Sequence, residues 1–500
     1  MSINGVVQMK ITLDTNSIDD YRKFIKAKSL PTYKVTGHVV EFPDEYAHEL
    51  GFDIEVNKFR NWEPSEWLFD YQKHIVKLSI EKKKFAIFAD CGLGKTLMFL
   101  EFAQAAHHQL KDKQVLIISP LMVINQTCDE CEKFYGFRPE IVKSKDLNEW
   151  AKGSGKIGIT NYDAMTDDVI QGNLGALILD ESSMLKSHYG KWGQTILRIG
   201  QGLSWKLCCT GTPAPNDRIE YANHAVFLDY FQNVNAFLAT YFVNKGQTNE
   251  RWVLKPHALK PFYRSLSAWS FFLTDPSTYG FKDNSESIPP IHVHIHDVEL
   301  TKEQKDIVGV ESGELFATKM GGITSRSVMG QIAKGNYRDK NIHSNKPKAI
   351  RDLIESWPDE STIIWCIYNR EQELLEKEFP DAASITGATP IDKRQELIDK
   401  FKTGDIKVLI SKPKMLGFGL NLQIATRQVF SGLQDSYESY YQAVKRSNRV
   451  GSTKPLNVHI PITDIEAPMV DTVVKKAGRV LEDTRSQEEL FKDEIGIVNG

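Results

Sequence analysis

The run Phe85-Ala86-Ile87-Phe88 leads directly into Ala89-Asp90-Cys91-Gly92-Leu93-Gly94-Lys95-Thr96, and a helix-forming apolar stretch follows. Four apolar residues without alternation suit a strand buried on both faces, which calls for a parallel sheet with helices above and below. A glycine-bearing loop between such a strand and a helix is a phosphate cradle. Backbone N–H groups of Gly92, Gly94 and the helix N-terminus point at phosphates, Lys95 adds a point charge, and Thr96 offers its hydroxyl to Mg²⁺. The spacing therefore predicts an α/β protein with a nucleoside triphosphate at this loop.

The rest of the chain repeats the pattern. Apolar segments at Val115–Ser119, Ile157–Thr160, Ala176–Leu179 and Lys206–Cys209 alternate with helical stretches. A second alternating block holds strands at His292–Val298, Thr362–Ile367, Ala383–Ile385, Val408–Ile410, Arg427–Phe430 and Leu456–Ile460. Between the blocks, residues 230–290 lose the rhythm and end in a polar, proline-bearing linker. Ahead of them, residues 1–60 read as a small α+β unit with strands Val6–Leu13 and Tyr33–Phe42. Its helix is capped by Ser17, with Ile18, Tyr21, Phe24 and Ile25 on one face and Arg22, Lys23, Lys26 and Lys28 around the rest. The expected domains are 1–60, 61–284, 285–470 and a helical tail, 471–500.

Composition narrows the class. With 500 residues the chain exceeds one ordinary core. It is 41% apolar and 25% charged, with 62 basic against 65 acidic residues, so any nucleic-acid contact must be a local basic surface. Six cysteines form no disulfide framework and suggest a reducing compartment. No apolar run approaches the ~18 residues that span a bilayer, so we expect a cytoplasmic protein without membrane contact. Cys128 and Cys131 have the spacing of half a zinc site but lack a second pair, and His292, His294 and His296 share one strand face.

A second chemical signal is Ala176-Leu177-Ile178-Leu179-Asp180-Glu181, a buried strand ending in two acids. Asp180 can hold Mg²⁺ through water, and Glu181 can orient and deprotonate an attacking water. A third is Gln442-Ala443-x-x-Arg446-x-x-Arg449-x-Gly451, where two guanidinium groups at helical spacing suit the charge on a transferring phosphoryl group.

Taken together these elements resemble the superfamily 2 helicases and translocases, within them the Swi/Snf-like subgroup. The phosphate loop is similar to motif I, Leu68–Gln72 to the upstream element whose glutamine reads adenine, Ile118–Leu121 to motif Ia and Ile159–Asp163 to Ib. Asp180-Glu181-Ser182-Ser183 stands at motif II, Thr210–Pro213 with Asn216 at III, Leu416–Leu422 at V and Gln442–Gly451 at VI. Motif II of the family ends in histidine, whereas this chain has Ser182-Ser183. Motif V begins with Ser411-Lys412-Pro413-Lys414-Met415, unlike the subgroup's Ser-Thr-Arg-Ala.

The resemblance implies two RecA-like lobes that hydrolyse ATP with Mg²⁺. It assigns catalysis to Lys95, Glu181, Gln442, Arg446 and Arg449, and nucleotide binding to Gln72, Gly92, Gly94, Lys95, Thr96, Asp180, Gly417 and Gly419, with Thr96 and Asp180 at the metal. It assigns nucleic-acid contacts to Pro120, Leu121, Thr160, Tyr162, Lys412 and Lys414. The implied function is an ATP-dependent DNA translocase on duplex or branched DNA, without sequence preference, in a bacterium or phage-infected host, acting in repair or recombination. Alternatives are a strand-separating DNA or RNA helicase, a motor subunit serving a separate nuclease, and a nucleotide-gated binding module. The chain is expected to be monomeric, with residues 1–60 open to a protein partner.

Overall fold

The structure is a computed structural model. It describes residues 8–28, 30, 33–43, 46–47, 50–52, 62–186, 191–214, 218–246, 252–282, 288–317, 323–338, 340–357, 360–413, 415–416, 420–433, 437–449, 452–470, 473, 488–489 and 491–492. Two compact units are present: Met1–Asp283 with Thr484–Gly500, and Asn284–Asp483.

The first unit begins with β1 (Gln8–Thr12), α1 (Ile18–Ala27), β2 (Lys34–Thr36) and β3 (Val39–Pro43), an antiparallel sheet in the order β1-β3-β2. The single strand expected over 33–42 is broken by a turn at Gly37, whose φ of +59° suits glycine. Ser17 caps α1 by accepting from the Asp20 N–H. Only Phe24 and Ala27 of the helix enter the small core, alongside Ile11, Val40 and Phe42. Ile18, Tyr21 and Ile25 stay exposed, at 68%, 54% and 46%, so the apolar face read from the sequence is mostly outside. The buried side is centred on Phe24 and Ala27, which lie one helical turn apart.

The main body of this unit follows in chain order: α2 (Asp70–Lys82), β4 (Lys84–Ala89), α3 (Lys95–Leu110), β5 (Gln114–Ser119), α4 (Ile124–Tyr135), β6 (Glu140–Ile141), α5 (Leu147–Ala151), β7 (Ile157–Asn161), β8 (Leu174–Asp180), α6 (Lys191–Gly200), β9 (Trp205–Cys209) and α7 (Tyr221–Phe227). A hairpin, β10 (Phe242–Asn244) and β11 (Trp252–Leu254), precedes β12 (Ser270–Leu273). The sheet order is β12-β4-β9-β8-β5-β7-β6, with every neighbouring pair parallel. Strands β4, β5, β8 and β9 are buried at every residue, and the lysines among them, Lys84 and Lys206, both reach Asp229. Because β4, β9 and β8 are neighbours, the loops leaving their carboxyl ends meet, which is where parallel α/β sheets build sites.

The second unit holds β13 (Ile291–Asp297), a small hairpin of β14 (Asn336–Tyr337) and β15 (Lys340–Asn341), then β16 (Thr362–Trp365), β17 (Ala383–Ile385), β18 (Val408–Ser411), β19 (Arg427–Phe430) and β20 (Leu456–Ile462). Its large sheet is parallel throughout, in the order β13-β20-β19-β16-β18-β17. Two parallel sheets and a small α+β unit are the fold class that the sequence predicted. Strand β12 was not foreseen. It is four residues long and follows a helix in an aromatic-rich stretch, so neither length nor alternation marks it.

Candidate nucleotide site

The phosphate loop leaves β4 and closes on Gly94, the N-cap of α3, at φ +75°. A Cβ there would stand 2.1 Å from Gln72 Nε2, so a side chain at Gly94 would drive Gln72 away. Gln72 is buried on α2, donates to the Leu93 carbonyl (3.1 Å) and accepts from the Phe69 N–H (3.0 Å). The glutamine that the sequence assigned to the nucleotide is thus against the loop itself. Lys95 Nζ donates to the carbonyls of Ala89 (2.8 Å) and Asp90 (3.1 Å), folded onto the loop. Gly92 has φ +89°, and Thr96 is half-buried in the first turn of α3.

Motif II sits beside this loop. Asp180 Oδ2 accepts from Ser119 Oγ (2.7 Å), and its main-chain carbonyl accepts from the Tyr162 hydroxyl (2.7 Å). Glu181 has a left-handed backbone, φ +53°, and its Oε2 accepts from Thr210 Oγ1 (3.1 Å). Gly211 lies close enough to the loop that a Cβ would stand 3.3 Å from the Ala89 carbonyl and 3.6 Å from Lys95 Nζ. Motifs I, II and III therefore converge at one edge of one sheet. Burial, followed by the neighbouring Glu181 carboxylate, raises the Asp180 carboxyl pKa above the ordinary range, while Ser119 and Lys95 pull it back. Two adjacent buried carboxylates, with the Thr96 hydroxyl in the first turn of α3, are a donor set suited to a divalent cation.

Several expectations need correction. Thr160 is fully buried and donates to the Val142 carbonyl (2.8 Å), and Tyr162 is buried on Asp180. Neither side chain is a surface grip; both serve the sheet and motif II. Pro120 is buried and Leu121 half-buried. In the second unit Lys412 donates to Asn369 Oδ1, whereas Lys414, Gly417, Gly419, Gly451 and, in the first unit, Asn216 lie outside the described residues. Arg446 and Arg449 stand in the turns after the helix Tyr437–Val444 rather than on one helix face. The Leu422 N–H donates to the Arg446 carbonyl (3.0 Å), and Arg449 Nη1 donates to the Leu420 carbonyl (3.4 Å), so motifs V and VI meet. Gln442 is half-buried on that helix.

Three residues escaped the sequence reading. Ser119 is the first, in contact with Asp180. Glu101, buried on α3, accepts from Trp62 Nε1 (3.1 Å) and from the Ser65 N–H and hydroxyl (3.2 and 3.0 Å), tying the entry segment to the motif I helix. Its signal was there: a single acid inside Phe99-Leu100-Glu101-Phe102-Ala103. His224 is the third, bonded to Ser182 at 3.0 Å. The alternating histidines form a separate cluster on β13 and β20, where His296 meets His459 at 3.0 Å and His294 stacks on it. Among the described residues no group of three His, Cys, Asp or Glu side chains is arranged to hold a metal ion, and no helix is long and apolar enough to cross a membrane.

Residues 71–346 match the SNF2-related domain, which is more than half of the chain, and residues 345–451 match the helicase conserved C-terminal domain. The chain belongs to the SNF2-related family. It is accordingly an ATP-hydrolysing enzyme of the helicase type. Among curated relatives, putative protein p41 of Acyrthosiphon pisum secondary endosymbiont phage 1 is 24% identical over 78% of this chain and 91% of its own length. ATP-dependent helicase FUN30 of Saccharomyces cerevisiae is 22% identical over 80% of this chain, which spans only 45% of that protein. A solved SWI2/SNF2 ATPase core from Sulfolobus solfataricus, in complex with dsDNA, aligns with 89% of this chain and 96% of its own at 19% identity. The TM-score of that alignment is 0.39.

Proposed function

We propose that the chain is an ATP-driven motor that tracks on or remodels duplex or branched DNA. The observation that carries this reading is the convergence of Lys95, Asp180, Glu181 and Thr210 at the carboxyl edge of one parallel sheet, in a chain whose second unit matches a helicase C-terminal domain. ATP phosphates would take the loop N–H groups of Gly92 to Thr96, and Lys95 would exchange its two carbonyl partners for them. Thr96 and Asp180 would hold Mg²⁺, which when bound offsets phosphate charge. Glu181 would accept a proton from water as the water oxygen bonds to the γ-phosphorus and the bond to the bridging oxygen breaks, releasing ADP and phosphate. Arg446 and Arg449 are the candidate fingers for the charge on the transferring group, with Gln442 beside them in the same motif.

Leu121, Lys412 and Lys414 remain candidates for the DNA backbone, which predicts little sequence preference and steep salt dependence. The domain division 1–60, 61–284, 285–470 and 471–500, a monomeric state and a bacterial or phage-infected host setting belong to the same proposal, the last supported by the phage relative. The test is steady-state ATP hydrolysis with duplex DNA, single-stranded DNA or RNA. Duplex should stimulate most. Stimulation by RNA alone, or by no nucleic acid, would overturn the reading.

A further inference from the structure

The resemblance places Ser182-Ser183 where motif II would end in histidine. A histidine nevertheless reaches it. His224, on α7, places Nε2 3.0 Å from Ser182 Oγ, and both residues are fully buried. The next residue back, Asn223, is also buried and donates from Nδ2 to the Leu185 carbonyl (2.8 Å). Two adjacent polar side chains of an otherwise apolar helix, Tyr-Ala-Asn-His-Ala-Val-Phe, thus grip Ser182 in motif II and Leu185 just after it. Helix α7 follows motif III closely, so the grip joins the two motifs. The His224 ring also stands edge-on to Phe88, 5.3 Å away at 82°, in the strand that feeds the phosphate loop.

Glu181 lies between these anchors. Its φ of +53° is a conformation that a residue with a Cβ holds only when its surroundings impose it. On the amino side the turn is fixed by Tyr162 on the Asp180 carbonyl, at the side chain by Thr210, and on the carboxyl side by His224 on Ser182. The Met184 N–H also holds the Glu181 carbonyl (3.0 Å), so losing the His224 bond removes the side-chain tether on this peptide and lets the carboxylate shift. We propose that His224 is a positioning residue for hydrolysis, holding Ser182 so that the left-handed turn aims Glu181, and so supplies from α7 the histidine that motif II lacks. The inference rests on Glu181 being the group that accepts the proton from water. Burial keeps the imidazole neutral, so it meets the serine hydroxyl with one donor or one acceptor nitrogen.

The test uses the full chain, four single variants and one double variant. His224→Leu keeps the apolar volume and removes the bond, His224→Gln puts an amide where Nε2 was, Ser182→Ala removes the other partner, and Glu181→Gln reports on the base itself. His224→Leu should lower kcat by about tenfold to a hundredfold with nucleotide affinity changed less than about twofold. His224→Gln should recover most of kcat, and the double variant with Ser182→Ala should be no worse than either single change. Thermal unfolding of each variant separates loss of positioning from loss of fold. If His224→Leu fails to fold, Ser182→Ala carries the same expectation alone. Native kcat in a folded His224→Leu or in Ser182→Ala, or losses that multiply in the double variant, overturns the inference. Native turnover in Glu181→Gln would instead overturn the base assignment beneath it.

Discussion

Lys95 and its two loop carbonyls form a pair of bonds that a triphosphate would replace, while Glu181 accepts from the Thr210 hydroxyl of motif III. Their losses should therefore part. Lys95→Ala should weaken nucleotide binding by about tenfold to a hundredfold, since a charged hydrogen bond is removed. Glu181→Gln should bind nucleotide normally and lose about 10²- to 10⁴-fold in turnover. Equilibrium binding measured beside single-turnover hydrolysis checks both, and tight binding by Lys95→Ala would contradict the first. At this scale the sequence marked out Lys95, Asp180, Glu181 and Thr210, which the fold brings together, but not which way the neighbouring side chains face. Thr160 and Tyr162 were assigned to nucleic acid because a motif specifies a place in the chain, whereas alternation along a strand end decides whether a side chain points to solvent or to Asp180. His224 was invisible because its partner is 42 residues away and only the fold joins them.

Among the elements, the β13–β20 pair carries a chemical load of its own. His294 and His296 from β13 and Arg427 from β19 face His459, which also stacks on Trp357 at 4.4 Å. Burial, then the charges of His294, His296 and Arg427, push the His459 pKa down to about 3. An unfolded histidine takes up a proton near pH 6.5, so between about 6.5 and 3 the unfolded chain gains a proton that the folded one refuses. Stability of the second unit should therefore fall as the pH drops below about 6.5, and His459→Gln should flatten that fall. Unfolding midpoints of both proteins at about pH 7.5 and 5.5 measure it, and parallel pH dependences would contradict it. The shared face of His292, His294 and His296 was legible from alternation; their partner was not, because register between distant strands is set by the sheet. The basic helix α1 shows the opposite failure, since its periodicity was read correctly but its buried side is Phe24 and Ala27 rather than the wider apolar stripe.

On the scale of the whole molecule, the chain leaves the first unit near Asp283 and returns to it near Thr484. The returning segment is structural. Phe491 is fully buried against Phe271 (5.9 Å) and Phe272 (5.1 Å), and Glu488 accepts from the Thr274 N–H (2.6 Å) at the end of β12. Phe491→Ala should cost the first unit about 3–5 kcal/mol, the usual penalty for emptying a buried aromatic site. Chemical unfolding followed by tryptophan fluorescence reads this, and a change below about 1 kcal/mol would mean that the tail is dispensable. The division into two parallel α/β blocks was readable because unbroken apolar strands and intervening helices leave few alternatives. The tail's return was not, because a charged terminal segment carries no mark of the surface that receives it.

We propose that ATP hydrolysis at the Lys95–Glu181 site drives movement along DNA. The most direct test is displacement of a third strand from a DNA triplex, followed in real time with native protein and with Glu181→Gln. The account predicts displacement that requires ATP in the native protein and none in Glu181→Gln, although that variant still binds ATP and DNA. Brisk DNA-stimulated hydrolysis without displacement, or displacement by Glu181→Gln, would contradict it.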